Sequence, residues 1–318
     1  MFVLKESALL SNLSSKKDMK NAIINTKKVL LNNTVSRRRQ MSATSSAVDS
    51  NNNNWSKGKV IIVTGAANGI GSATALRFGK AGVNVVLSDL SSSESNGLSV
   101  VKEIQQHPGA GKAIFVKCDV SKSKDVENLV KTTMGTFGRL DLAYNNAGIE
   151  GAQADTANCT EENFDRVINT NLKGVFLCMK YELQEMLKNK VSDDEDGRGQ
   201  RGAIVNCSSV AGVIGFPMIP AYDASKHGII GLTKTAALEN AKTKIRVNCV
   251  CPGIIRTPMI DRFTQGSKEA EAAMTAYEPV GREGLPDEIA GAVFWLCSPA
   301  ASFVTGHPLV VDGGWVAQ

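Results

Sequence analysis

The chain has 318 residues, 42% of them hydrophobic, enough to bury the core of one large domain or two small ones. Its net charge of +5 does not signal a nucleic-acid face: residues 1–50 hold nine Lys/Arg against three Asp/Glu, and the remaining residues hold 27 against 28. Seven cysteines without a C-x-x-C pair, histidines scattered at 107, 227 and 307, and no apolar run approaching 18 residues argue against a disulfide framework, a metal site and a membrane-spanning helix.

Residues 1–55 are rich in Ser, Asn, Lys and Arg and poor in acids, with Arg37-Arg38-Arg39 and the tract Asn51 to Asn54 near their end. Such a segment cannot supply a core and is expected to be a disordered leader. It resembles an organelle transit peptide, mitochondrial by its basic, Ser-rich character, and has no apolar region of secretory length. A disordered tail on a cytoplasmic protein, or initiation at Met41, are the alternatives. One domain is expected over residues 56–318.

From Lys57 short β-branched runs alternate with helical patterns. Lys59 to Thr64, Val83 to Asp89, Ala113 to Cys118, Leu140 to Asn145, Ala203 to Cys207, Ile245 to Val250 and Leu309 to Val311 read as strands, several apolar on both faces. Val126 to Phe137, Phe164 to Leu187 and Tyr222 to Asn240 carry helical period. Strict alternation implies the α/β class, a parallel sheet covered on both sides. The acidic, Gly-rich stretch Ser192 to Arg201 reads as a surface loop, and Cys249 and Cys251, two apart on a buried strand, read as small core residues sharing a face.

Directly after the first strand comes Thr64-Gly-Ala-Ala-Asn-Gly-Ile-Gly71, a glycine-rich turn opening a helix. Backbone must approach a pyrophosphate closely there, and the helix N-terminus supplies unpaired N–H groups and the positive end of a dipole. Gly65, Asn68, Gly69, Ile70 and Gly71 are therefore candidate cofactor residues. At the end of the second strand Asp89, followed by Leu90, can accept both ribose hydroxyls of an adenosine and would repel a 2′-phosphate, pointing to NAD. A cap on a turn is the alternative for that carboxylate. Asp119 and Val120, after Cys118, could contact adenine, and Asn145-Asn146-Ala147-Gly148 could form the floor beneath the cofactor.

Tyr222 and Lys226, four apart on a helix, share a face. A cation beside a phenol favours the phenolate, so such a pair can make tyrosine a base; alone, the spacing also fits an ordinary surface pair. Its company decides. Thr64-Gly-x-x-x-Gly-x-Gly71, Asn145-Asn-Ala-Gly148, Asn171 in Asn-Leu-Lys-Gly174, Ser209 in Cys207-Ser-Ser-Val210, Tyr222-x-x-x-Lys226, and Pro252-Gly253 followed by Thr257 occur in one order. From about Lys57 to Gln318 the chain resembles the short-chain dehydrogenase/reductase family.

The resemblance implies a Rossmann-type, doubly wound parallel sheet of about seven strands with helices on both faces. It implies an NAD-dependent oxidoreductase that interconverts a small-molecule secondary alcohol and its ketone. By it, Tyr222 is the general acid/base, and Lys226 tunes Tyr222 and binds the nicotinamide ribose. Ser209, chosen over Ser208 by the family's spacing to the tyrosine, hydrogen-bonds the substrate oxygen, and Asn171 holds a water that relays protons to Lys226; an amide that kinks its helix is the plain reading of Asn171 and is compatible with that role. Pro252, Gly253, Ile255 and Thr257 lie against the nicotinamide carboxamide. Pro258 to about Glu283 becomes a helical lid, with Val213 to Pro220 as the facing wall. Phe216, Met218 and Ile219 make that wall apolar, which suits an apolar or alicyclic substrate or a subunit interface. A homotetramer packed through the helices that begin near Phe164 and Tyr222 is also implied. The competing readings are a 3-oxoacyl carrier-protein reductase using NADPH, which Asp89 disfavours, and a non-catalytic nucleotide-sensing scaffold, a class that usually lacks the Tyr or Lys present here.

Overall fold

Each apolar run becomes a strand in the computed structural model, which describes residues 55–192 and 198–318, and each boundary falls within two residues of the sequence reading. The leader up to Asn54 and the middle of the acidic loop lie outside the described residues. The strands are β1 (Val60–Thr64), β2 (Asn84–Asp89), β3 (Ala113–Lys117), β4 (Leu142–Asn145), β5 (Gly202–Cys207), β6 (Ile245–Pro252) and β7 (Pro308–Val311). They form one parallel sheet in the order β3-β2-β1-β4-β5-β6-β7. Every connection between parallel neighbours must cross the sheet, and the intervening helical segments do so.

Those helices are α1 (Gly69–Lys80), α2 (Glu94–Gln106), α3 (Ser123–Phe137), α4 (Glu161–Val167), α5 (Gly174–Met186), α6 (Pro220–Asn240), α7 (Pro258–Phe263), α8 (Lys268–Thr275) and α9 (Pro286–Cys297). The period of two along β1 feeds both faces. Val60 and Ile62 join a core with Leu129 of α3, Met179 of α5 and Ile229 of α6, while Ile61 and Val63 join Phe78 of α1, Ile104 of α2 and Val293 of α9. Burying such a side chain stabilises by about 1.5–3 kcal/mol, which is why a strand apolar on both faces must be sandwiched. Strand order reverses between β1 and β4, so the connections that follow them run to opposite sides and leave a crevice beyond their C-terminal ends.

The helix expected over Phe164 to Leu187 is not continuous. α4 and α5 are joined by a π-turn, Ile168–Lys173. The extra residue in that turn is repaid by tertiary bonds: Asn171 Oδ1 accepts from the Ile149 N–H at 2.8 Å, and Nδ2 donates to Ile149 O at 2.9 Å and Ser225 Oγ at 3.1 Å. Outside it, Ile168, Leu172 and Phe176 face Gly228 and Leu232 of α6 across a shallow apolar groove.

α5 also carries a carboxyl group into the core. Glu182 is 1% exposed, and its Oε2 accepts from Asn145 Nδ2 at 3.0 Å. Burial raises its pKa to about 7, against which the Asn145 bond works only in part. The folded state therefore holds a proton that the unfolded chain has released, so stability is fully present below the unfolded pKa of 4.5 and is lost as pH rises through about 7. Glu182→Gln, which keeps an acceptor for Asn145, should abolish this slope. Chemical denaturation at pH 5 and pH 8 should show the variant gaining on the wild type by on the order of 3 kcal/mol. An unchanged difference between the two pH values would mean that the carboxyl group ionises freely in the fold.

Candidate active site

The crevice widens into a cleft of about 1100 Å³ over the C-terminal ends of the strands. At one end lies the glycine-rich turn. Gly65 and Gly69 take φ of +63° and +53°, a region costly for side chains. A Cβ on Gly71 would overlap the Gly65 carbonyl oxygen. Asn146 locks the same turn from β4, its Nδ2 donating to the carbonyls of Thr64 and Gly65, both at 3.1 Å. Thr64 Oγ1 accepts from the N–H groups of Asn146 (3.0 Å) and Ala147 (3.1 Å). The first and fourth strands are thus stapled where the backbone of Gly65, Asn68, Gly69 and Ile70 lines the cleft. Gly71 does not line it; its role is to let α1 start this close to the turn.

Asp89, Leu90, Asp119 and Val120 line the adjoining stretch. Asp89 also braces the turn: Oδ2 accepts from the Ala67 N–H at 3.0 Å and Oδ1 from the Leu90 N–H at 2.8 Å. Each carboxylate oxygen has a further lone pair, so the ribose-accepting and capping readings are compatible. Among the described residues, the Lys and Arg side chains lining the cleft are Arg166, Lys226 and Arg262, and none lies on β2, β3 or the turns after them.

Beyond β4 and β5 the cleft floor brings together Gly148, Ser209, Tyr222, Lys226, Pro252, Gly253, Ile255 and Thr257. Tyr222 sits in the first turn of α6, which Pro220 opens. Lys226, one turn later and 4% exposed, places Nζ 5.3 Å from the Tyr222 ring centroid and donates to Cys207 O at 2.8 Å. Ser208 and Ser209 both line the cleft, with different partners. Ser208 is 2% exposed and donates to Lys226 O at 2.8 Å, whereas Ser209 caps the turn after β5, accepting from the Ala211 N–H at 3.1 Å. Asn145, expected in the floor, is buried beneath it and donates to Glu182 Oε2 and Asn206 Oδ1, and Asn171 does not line the cleft either. Its amide is committed to Ile149 and Ser225, so its side chain fixes the Gly148–Ile149 backbone. A Cβ on Gly148 would sit 3.2 Å from Asn171 Oδ1 and 3.7 Å from Lys226 Nζ; the glycine keeps the space between them open.

The far end is apolar. Val210, Ile214, Phe216, Ile219, Ile260, Met274, Tyr277 and Trp315 line it. Of the three residues expected in the facing wall, Phe216 and Ile219 are there, but Met218 is not: at φ +74° the chain reverses and leaves its side chain 48% exposed. The segment expected to form a lid holds α7 and α8. Arg262 of α7 pairs with Glu150 across the cleft mouth, Nε to Oε1 2.8 Å and Nη2 to Oε2 3.1 Å. Glu150 and Arg262 offset each other there, while Arg166, which also lines the cleft, donates to Asn163 Oδ1 at 3.3 Å.

The sequence profile described as enoyl-(acyl carrier protein) reductase matches residues 65–316. The chain belongs to the short-chain dehydrogenase/reductase family. It is 42% identical over 260 residues to the 2,5-dichloro-2,5-cyclohexadiene-1,4-diol dehydrogenase of Sphingobium indicum, covering 82% of this chain and 98% of that one. It is 43% identical to the cyclohexanol dehydrogenase of Acinetobacter sp., covering 82% and 96%. The crystal structure of levodione reductase superposes with a TM-score of 0.74 at 34% identity over 82% of this chain and 98% of that one. Membership makes the chain an NAD(P)-dependent oxidoreductase acting on alcohol or ketone substrates.

The residues present fit the dinucleotide that the family uses. The cradle at Gly65 admits no side chain, since a Cβ there would lie 2.9 Å from Ala147 Cα and from Asn146 Nδ2. The N-terminus of α1 opens onto the cleft beside it, without an acidic residue in its first turn to compete for the N–H groups. Sequence reasoning placed Met274 and Tyr277 only within the expected lid, and it missed Trp315, which closes the substrate end with them, and the Glu150–Arg262 pair. Trp315 carried one local signal, a large aromatic directly after Asp312-Gly-Gly314 near the chain's end.

Proposed function

We propose that the chain is an NAD-dependent dehydrogenase for an uncharged alicyclic secondary alcohol, working in reverse as a ketone reductase. The observation that carries the reading is the convergence of Tyr222, Ser209 and Lys226 on one cleft whose other end presents Asp89 and, among the described residues, no Lys or Arg. In oxidation Tyr222 reacts as the phenolate, and the substrate hydroxyl donates to its oxygen while Ser209 Oγ hydrogen-bonds the same hydroxyl. Tyr222 takes its proton during oxidation and returns it in reduction. Ser209 supports the oxygen as charge develops on it, and the Lys226 ammonium, held by Cys207 O, sets positive charge beside the Tyr222 ring. Pro252, Gly253, Ile255 and Thr257 would hold the nicotinamide, which would supply the hydride acceptor. The apolar wall and the mutually neutralised Glu150 and Arg262 favour a substrate without charge. The cyclohexanol and cyclohexadienediol dehydrogenases, both over 40% identical, carry ring alcohols in their names.

Initial rates on cyclic and open-chain secondary alcohols with NAD and NADP test this. NAD should be preferred by at least about tenfold, a discrimination of roughly 1.4 kcal/mol, because Asp89 would face a 2′-phosphate. Cyclohexanol should outrank 2-butanol. A tenfold preference for NADPH with a 3-oxoacyl thioester as the better substrate would instead establish the oxoacyl reductase.

A further inference from the structure

Asp223 follows Tyr222 on α6 and does not line the cleft. Its Oδ2 accepts from the Phe216 N–H at 2.6 Å, and its Oδ1 is buried without a hydrogen-bond partner among the described residues. Its own N–H donates to Ile219 O at 3.0 Å, closing the loop from Phe216 back onto the helix. A buried carboxylate oxygen left unpaired costs free energy, so the group is a poor device for stability alone.

What the bond holds is the apolar wall. The Phe216 ring meets Trp315 edge-on, centroids 5.1 Å apart at 90°, and Trp315 stacks on Tyr277 at 5.2 Å and 10°. Trp315 is held in turn by Asp312, whose Oδ1 accepts from the Gly314 N–H at 2.9 Å and Oδ2 from the Val316 N–H at 2.8 Å. Three aromatics from the Val213–Pro220 loop, the end of the lid and the C-terminal turn therefore form one connected wall. The Asp223 side chain ties the Phe216 end of that wall to the helix carrying Tyr222.

We propose that Asp223 is a specificity-determining positioning residue: it pins the Phe216 wall to the Tyr222 helix and so fixes the ring size that fits between wall and phenol, without touching substrate. The inference rests on the alicyclic-alcohol reading above. Asp223→Ala frees the Phe216 N–H and lets the wall retreat; Asp223→Asn keeps an acceptor oxygen at the same reach.

The test compares kcat/KM for cyclohexanol with that for the fused-ring decahydro-2-naphthol, with NAD saturating. In Asp223→Ala the fused-to-single-ring ratio should rise roughly tenfold, the scale on which a methylene-sized change in a pocket discriminates substrates. Asp223→Asn should stay within about threefold of wild type, as expected when a charged acceptor is exchanged for a neutral one. Phe216→Ala, which reaches the wall from the loop side, should reproduce the rise even if the Asp223→Ala protein is poorly folded. A purely structural role would lower both rate constants together and leave the ratio unmoved, and that result overturns the proposal. So does a rise in Asp223→Asn equal to that in Asp223→Ala. Wild-type protein inactive on every ring alcohol would instead overturn the underlying function.

Discussion

Tyr222→Phe is expected to lower kcat for alcohol oxidation by about 10²–10⁴-fold, the contribution of a positioned acid/base. The ring and its packing over Lys226 are kept, with Nζ 5.3 Å from the centroid, so the change removes little besides the proton-transferring oxygen. NADH affinity, read by fluorescence titration, should fall by no more than about fivefold, since the variant loses at most one neutral hydrogen bond of about 1 kcal/mol to the dinucleotide. That split between chemistry and binding is the signature of a group that acts on the reacting atoms. Retention of turnover would remove Tyr222 from the mechanism. A wild type that binds NADH and turns over no alcohol or ketone would favour the non-catalytic reading, despite the intact Tyr-Lys pair.

The strands and the cofactor end were legible in the sequence because each depends on local chemistry. Ile61 and Val63 alternate with Val60 and Ile62 in one short run, and the glycines at 65, 69 and 71 mark places where a Cβ would meet backbone or a pinned side chain. The break in the helix at Ile168–Lys173 was legible only as a kink suggested by the Asn171 amide. That stretch contains neither Gly nor Pro, and its π-turn is sustained by bonds from Asn171 to Ile149 and Ser225, which are 22 and 54 residues away. The substrate end was legible only in part for a related reason. Phe216, Tyr277 and Trp315 share no period, and their meeting depends on three separate segments crossing. Met218 shows the complementary error: apolar composition suggested a wall residue, but backbone direction decides which side chain reaches the cleft.

The second large effect is expected at Gly71, where a single methyl group tests the whole cofactor cradle. In Gly71→Ala the new Cβ would overlap Gly65 O and approach Asn146 Nδ2 to 2.7 Å. Neither neighbour can yield cheaply. The carbonyl is backbone, and Asn146 Nδ2 is already bonded to the carbonyls of both Thr64 and Gly65. Overpacking of this kind costs about 1–3 kcal/mol, against which the better helix propensity of alanine returns about 1 kcal/mol. Relief requires the turn to move away from α1 and into the space where the pyrophosphate must lie, so the loss should appear in binding more than in folding. NADH affinity should fall at least about tenfold, or 1.4 kcal/mol, while the midpoint of thermal unfolding drops by only a few degrees, about 2–4 °C per kcal/mol. Gly135→Ala in α3 is the matched control, because nothing lies within 4 Å of its Cβ position. That variant should bind NADH like the wild type and unfold at the same temperature or slightly above. Equal NADH affinity in both variants would show that the dinucleotide does not depend on the close approach of α1 to the turn after β1.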